Sequence, residues 1–295
     1  FSPASTYGHL RSHAHTSAVI RALKKMGPQL RVDHRVHARF EVTFPDALAV
    51  IAALIADGAV DLISLTDHTP GQGQYRDLER LVAKTATDKR LSRAEAEAAV
   101  ARRIDERSQP AEVMAATLRA ISDLCRARAV PLASHDDDTV AKVALMADLG
   151  CAISEFPVTV EAATEARARG LLTAMGAPNA LRGESYSGNL SARAAHGAGV
   201  LDMLASDYHP SALWPAVLAL AASDPQGLAG AVRLVSANPA RALGLGDRGM
   251  IAPGMRADLV VASDKGVGHV RATLRGGAVI FSDGFQADRA EASAR

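Results

Sequence analysis

Residues 62–72 read Leu62-Ile-Ser-Leu-Thr-Asp-His-Thr-Pro-Gly-Gln72, an apolar run that ends in an acid and an imidazole and is then turned by Pro70 and Gly71. A continuous apolar run suits a parallel strand covered on both faces. The phrase recurs along the chain. Pro131-Leu-Ala-Ser134 ends in His135-Asp136, Ala152-Ile-Ser154 in Glu155, Leu171-Leu-Thr-Ala-Met175 leads to Asn179, and Leu201-Asp-Met-Leu-Ala205 leads to Asp207. Between these runs lie stretches of helical composition, clearest over Arg93 to Arg107 and Glu112 to Ala129, with Pro110 near a helix start. Upstream, Arg35-Val-His-Ala-Arg-Phe-Glu-Val42 alternates with a two-residue period: Val36, Ala38 and Phe40 on one side, His37, Arg39 and Glu41 on the other. The spacing is βα, repeated in six units, and right-handed crossovers would make of it an open doubly wound sheet or part of a (β/α)8 barrel. Glu41, Asp67-His68, His135-Asp136, Glu155, Asn179 and Asp207 all fall at the carboxyl ends of their strands. A barrel gathers its catalytic groups from many strand ends, whereas an open sheet concentrates them at one switch point. The barrel is therefore expected.

Outside the repeat, Phe1 to about Gly27 reads as an irregular start with His9, His13 and His15, followed by a helix over Thr16 to Met26. Residues Ala216 to Ser236 look helical. Short strands at Asp258 to Val261, His269 to Arg275 and Ala278 to Phe281, with Gly276-Gly277 as a hairpin signal, should form a small sheet beside the barrel. The tail from Gln286 reads as a frayed helix or disorder.

Composition narrows the function classes. At about 150 residues per domain, the length allows one large domain and a smaller one. Apolar residues make up 48% and charged residues 22%, which supports a sizeable core. Lys plus Arg (33) nearly cancel Asp plus Glu (32), so no bulk positive field favours nucleic acid or a membrane surface. Cys125 and Cys151, on apolar-flanked segments, suit buried free thiols in a reducing compartment. With no apolar run long enough to span a membrane and no signal-peptide layout, a cytoplasmic protein is expected.

Each polar strand end has an ordinary explanation when taken alone. A His after a strand is commonly a surface residue, and Asp136 to Asp138 can cap the helix beginning near Thr139; for Asp137 and Asp138 capping is the preferred reading. Recurrence argues otherwise, because four strands end in His, Asp or Glu at equivalent places. Divalent cations take oxygen and nitrogen donors aimed at one point, and the strand ends of one barrel supply that convergence.

Several segments together resemble the PhnM type of amidohydrolase-superfamily protein: Leu65-Thr-Asp-His-Thr-Pro-Gly-Gln72, Ala133-Ser-His-Asp-Asp137, Glu155-Phe-Pro157, Met175-Gly-Ala-Pro-Asn179, Arg182-Gly183, Ser187-Gly-Asn189 and Ala205-Ser-Asp-Tyr208. Asn238-Pro-Ala-Arg-Ala-Leu-Gly-Leu245, Asp247-Arg-Gly249 and Gly254-Met-Arg-Ala-Asp-Leu-Val260 resemble the C-terminal signature of the superfamily. The resemblance implies an α/β fold, a TIM-like barrel over 1–245 whose first strands are missing from this chain, the C-terminal part of a small β-sandwich domain over 246–284, and a tail over 285–295. It implies a diphosphatase of the carbon–phosphorus lyase pathway that hydrolyses α-D-ribose 1-methylphosphonate 5-triphosphate to the 5-phosphate and pyrophosphate. One or two divalent metal ions, zinc, manganese or iron, would be its cofactors. By position His68, His135, Glu41, Glu155 and Asp207 would be the metal set, with Asp207 and His135 catalytic.

The sequence departs from that pattern twice. No His-x-His or His-x-Asp pair ends a strand before Glu41, since His13-Ala-His15 has the spacing but lacks an apolar strand before it. Glu184 and Tyr186 stand where the pattern has Gly and His. Arg182, Gly183, Ser187, Gly188 and Asn189 form the expected phosphate loop, with Asn179, Gln72 and Gln74 around it. The expected partner is a phosphorylated small molecule, not nucleic acid or membrane, and assembly into a homo-oligomer is left open. Two rivals stay open as well: an amidohydrolase acting on a cyclic amide, or a deaminase, and a non-catalytic scaffold.

Overall fold

The structure, a computed structural model, describes residues 12–185 and 188–284. Its framework is a sheet of six parallel strands, β1 (His37–Glu41), β2 (Leu62–Thr66), β3 (Leu132–His135), β4 (Cys151–Glu155), β5 (Leu172–Gly176) and β6 (Met203–Ala205), hydrogen-bonded in strict chain order. A doubly wound sheet reverses its strand order at a switch point, and this sheet does not. Right-handed crossovers in sequential order return every helix to the same side, so the six strands form an arc of a cylinder with their polar carboxyl ends along one rim.

The helix α1 (His13–Met26) starts where Ser12 accepts a hydrogen bond from the His15 amide at 3.1 Å. His13 and His15 are thus in the first turn of a helix, away from any strand end. After β1, α2 (Ala47–Ala56) buries Ile51 and Leu54 completely against Phe40 and Ile63 of the first two strands. Each such side chain contributes about 1.5–3 kcal/mol, which fixes the strands that carry the site. Three helices separate β2 from β3: α3 (Leu78–Lys89), α4 (Arg93–Arg107) and α5 (Ala111–Ala127). The bounds of α4 are those read from the sequence, and Ser92 and Glu95 close a reciprocal capping box at its start. Single helices α6 (Val140–Asp148) and α7 (Val160–Ala168) follow β3 and β4, and α8 (Ala177–Arg182) and α9 (Ala192–Gly197) lie between β5 and β6.

Beyond β6 the stretch over 216–236 that looks helical holds two helices, α10 (Leu213–Ala221) and α11 (Gly227–Arg233). Pro225 has no amide with which to continue a helix, so the chain breaks there and Asp224 caps the turn by accepting from the Gln226 amide at 2.8 Å. A further helix, α12 (Ala237–Ala242), carries Asn238, whose side chain donates to the Asp202 carbonyl at 2.8 Å and ties the C-terminal segment to the last strand.

The small sheet is antiparallel, in the order β7 (Leu259–Ser263), β8 (His269–Arg275), β9 (Ala278–Ser282). Gly276 and Gly277, with φ of 55° and 85°, make the two-residue turn that sets Arg275 opposite Ala278. Trp214 donates to the Ser263 carbonyl at 2.7 Å, and Asp33 meets Arg256 at 2.8 Å and also pairs with Arg275, so sheet and barrel are joined. Cys125 and Cys151 are both buried and free. Burial pushes the Cys125 thiol up to about 11 and raises that of Cys151 as well. No described helix is long and apolar enough to cross a membrane. The readings of His9 and of the tail from Gln286 fall outside the described residues.

Candidate active site

The alternation of β1 turns His37, Arg39 and Glu41 to the inside of the arc while Ala38 and Phe40 are buried against the helices. Glu41, buried at the end of the strand, accepts from the His68 amide at 2.8 Å and from His68 Nδ1 at 2.5 Å. Arg107 stands 2.7 Å from its other side, and Arg103, one turn earlier on α4, donates to the His68 carbonyl at 2.9 Å. Burial pushes the Glu41 carboxyl up, but the His68 hydrogen bonds and the Arg107 guanidinium outweigh it and hold it below the usual carboxylate value.

His135 is built the same way from the next strands. Its Nδ1 donates to Glu155 Oε2 at 3.1 Å, and Glu155 also accepts from Ser64 Oγ at 2.6 Å and lies 3.6 Å from His37 Nε2. Here too burial raises the carboxyl and the imidazole partners, with Ser64, lower it further, leaving it depressed. With each Nδ1 committed to a carboxylate, each Nε2 presents its lone pair outward. The two rings sit edge to face with centroids 5.9 Å apart, and Arg39 Nη2 lies between them, 2.8 Å from His135 Nε2 and 3.5 Å from His68 Nε2.

Asp136 completes the cluster. Its φ of 53° is unusual for a residue with a side chain, and Phe156 (55°) and Asp207 (53°) share it just past the ends of β4 and β6. Such conformations cost roughly 1–3 kcal/mol each and persist where the surroundings enforce them. At Asp136 the enforcement is visible. Lys142 of α6 donates to the carbonyls of His135 and Asp136 at 3.0 and 3.1 Å, and the turn after β2 rests on Asp136 through Gly73, where a Cβ would meet the Asp136 Cβ at 3.1 Å. Single donor atoms of His68, His135 and Asp136 lie within 4.8 Å of one another. The capping reading of Asp137 and Asp138 is corrected: Thr139 caps α6, accepting from the Lys142 amide. Asp137, fully buried, instead accepts from Ser134 and Ser154 at 2.5 Å each and clasps β3 to β4, and Asp138 accepts from the Gly73 amide at 2.7 Å.

These residues open onto a cavity of about 320 Å³. Of the residues the sequence singled out, His68, His135, Asp207, Asn179, Arg182, Asn189 and Gln74 line it, together with Arg39, Asp136 and Phe156. Gly183 and Gly188 line an adjoining groove shared with Arg182 and Asn189, whereas Gln72 lines neither. Glu41 and Glu155 stand behind the imidazoles, with their oxygens on Nδ1. Asn179 is partly spoken for, since its Oδ1 accepts from the Ala192 amide at 2.8 Å, and Arg182 donates to the Tyr208 hydroxyl at 2.5 Å. Ser187 and Tyr186 fall outside the described residues. Sequence reasoning missed Asp136 as part of the cluster and missed Arg103 and Arg107, whose one signal was a pair of arginines four residues apart on one helix face.

The donor set fits a divalent cation. Two imidazoles whose Nδ1–H groups are held by carboxylates, beside a third carboxylate, form the nitrogen and oxygen set that zinc, manganese or iron takes. That Arg39 places a positive group on the same lone pairs shows the electrostatic character of the spot.

The chain matches the amidohydrolase family over residues 220–281. It is 43% identical over 243 residues to the α-D-ribose 1-methylphosphonate 5-triphosphate diphosphatase of Escherichia coli (strain K12), covering 80% of this chain and 62% of that enzyme's length. An adenine deaminase of Desulfatibacillum aliphaticivorans is 50% identical over 54 residues, 18% of this chain and 10% of the deaminase. Among solved structures, the 5-methylcytosine deaminase from Klebsiella pneumoniae liganded with 5-fluorocytosine aligns with a TM-score of 0.49 and 16% identity, over 94% of this chain and 79% of that one. The chain spans less than two thirds of the diphosphatase's length, and the amidohydrolase-family match lies at its C-terminal end.

Proposed function

We propose that this protein is a metal-dependent hydrolase that splits the triphosphate of a ribose 5-triphosphate, α-D-ribose 1-methylphosphonate 5-triphosphate in the first instance, to the 5-phosphate and pyrophosphate. The observation that carries the reading is the pair of carboxylate-backed imidazoles, Glu41 with His68 and Glu155 with His135, aimed with Asp136 into one cavity that Arg182 also lines. His68, His135 and Asp136 would hold a divalent cation, with Asp207 as a further ligand or as the base. A cation bound there would lower the pKa of a water and polarise a phosphoryl oxygen.

The chain's own residues do the rest. Asp207, on the cavity wall, takes a proton from the water as its oxygen bonds to phosphorus; the bridging P–O bond to the outer two phosphoryl groups breaks, and pyrophosphate carries away that electron pair. Arg182 and Asn189 receive the polyphosphate, where fixed positive groups act most strongly because the charge they meet grows in the transition state. Glu41 and Glu155 keep the imidazoles in the Nδ1–H tautomer throughout. With balanced overall charge and buried thiols, a cytoplasmic location fits this chemistry.

The test is product analysis of the metal-supplemented protein. Pyrophosphate release from the ribose triphosphate, or from a nucleoside triphosphate as surrogate, is the expected result; ammonia release from an aminopurine or aminopyrimidine without pyrophosphate would instead give the deaminase reading, and no turnover with no bound metal the scaffold.

A further inference from the structure

Arg39 stands in a place the proposed reaction leaves unexplained. It projects from β1, at the edge of the parallel sheet, onto the inner face and is itself exposed. Its guanidinium donates to His135 Nε2 at 2.8 Å and lies 3.5 Å from His68 Nε2. Each neutral imidazole has one lone pair, and the Glu155 and Glu41 bonds fix it on Nε2, so whatever occupies that position excludes any other acceptor interaction there. A guanidinium does not deprotonate in proteins, so it gives up those nitrogens only by moving bodily.

We infer that Arg39 is a built-in competitor for the cation site: its guanidinium occupies the Nε2 positions that a divalent ion would take, and the ion binds there only as the guanidinium withdraws. The inference rests on the reading of His68, His135 and Asp136 as a metal site. Arg39 thereby sets a threshold for loading, since a cation must outcompete a charged hydrogen bond as well as shed its own water.

The experiment is calorimetric titration of the full chain, stripped with chelator, with zinc chloride and manganese chloride, on wild type, Arg39→Met, Arg39→Lys and His135→Ala. Removing a charge-assisted hydrogen bond from the competing state should tighten binding about tenfold or more in Arg39→Met. Arg39→Lys, which keeps the charge without the planar fork, should fall between Met and wild type. In the metal-free protein, nitrogen NMR should show the Nε2 resonances of two histidines shifting in Arg39→Met while their Nδ1 protons stay bound. Binding by Arg39→Met equal to or weaker than wild type, with unchanged Nε2 resonances, overturns the inference. Failure of every variant to bind, or undiminished binding in His135→Ala, overturns the metal-site reading itself and the inference with it.

Discussion

The two halves of the cavity wall are built on different principles. On the side of β1 to β4, each functional imidazole is backed by a carboxylate, that carboxylate by a second donor, and the whole by helices packed on fully buried Phe40, Ile51, Leu54 and Ile63. On the side of β5, β6 and the stretch after α8, Asp207 and Tyr208 are exposed and Arg182 spends its guanidinium on the Tyr208 hydroxyl. Buried polar networks hold one geometry, while exposed side chains on loops can re-aim at little cost. The first half is thus suited to chemistry that tolerates little displacement and the second to gripping a flexible, highly charged chain. Substitutions should separate the halves by what they change: loading and rate on the first, substrate affinity on the second.

The largest effect is expected from His135→Ala. It removes a donor and strands Glu155, so turnover should fall by about a thousandfold or more and the bound metal measured by elemental analysis should drop. Near-normal rate and metal content in that variant would remove the cluster from the mechanism. Next comes Glu155→Gln, which keeps the shape but weakens the hold on Nδ1 of His135; loss of such an orienting carboxylate typically costs about 10–100-fold in metal affinity or activity. If the β1–β4 side works as a network, Glu41→Gln should give the same signature through His68.

Arg182→Ala probes the opposite wall. The expected result is a KM raised about tenfold with a smaller change in kcat, because an exposed phosphate contact of this kind contributes on the order of 1.5–3 kcal/mol to binding. An Arg182→Ala enzyme that lost kcat and kept KM would move Arg182 to the chemical half and erase the distinction.

The sequence made one half far more legible than the other. Period-two alternation in residues 35–42 put His37, Arg39 and Glu41 on one face of the strand, and apolar runs ending in His68, His135 and Glu155 marked where the strands stop, because both signals are local consequences of strand geometry. Local signals do not report distance. That Arg39 reaches His135, 96 residues away, and that Arg107 reaches Glu41, follow from curvature and helix packing that no short window contains. The choice among Asp136, Asp137 and Asp138 was illegible for a related reason. A left-handed φ at Asp136 rotates the three acids to three different partners, and what enforces it is Gly73 and Lys142 from other elements. The break at Asp224-Pro225, by contrast, is written in the chain as a proline inside an apolar helical stretch.

Acid should test the comparison with the gentlest perturbation. Glu41 and Glu155 titrate below the usual 4.5 in the folded state: burial opposes their ionisation, and the imidazole and guanidinium partners more than offset it. A carboxyl whose folded pKa is depressed binds fewer protons folded than unfolded, so its contribution to stability is present above the unfolded value and is lost as pH falls through the folded one. The chelator-stripped protein should therefore melt at a steady temperature near neutrality and lose stability progressively below about pH 4.5, where the unfolded chain begins to take up protons ahead of the folded one. Glu41→Gln and Glu155→Gln should each flatten that slope, since each removes one depressed carboxyl, and the double variant should flatten it further. A profile unchanged by either Glu substitution would mean that the two carboxylates do not hold the imidazoles as a network, and the two walls of the cavity would then differ only in exposure.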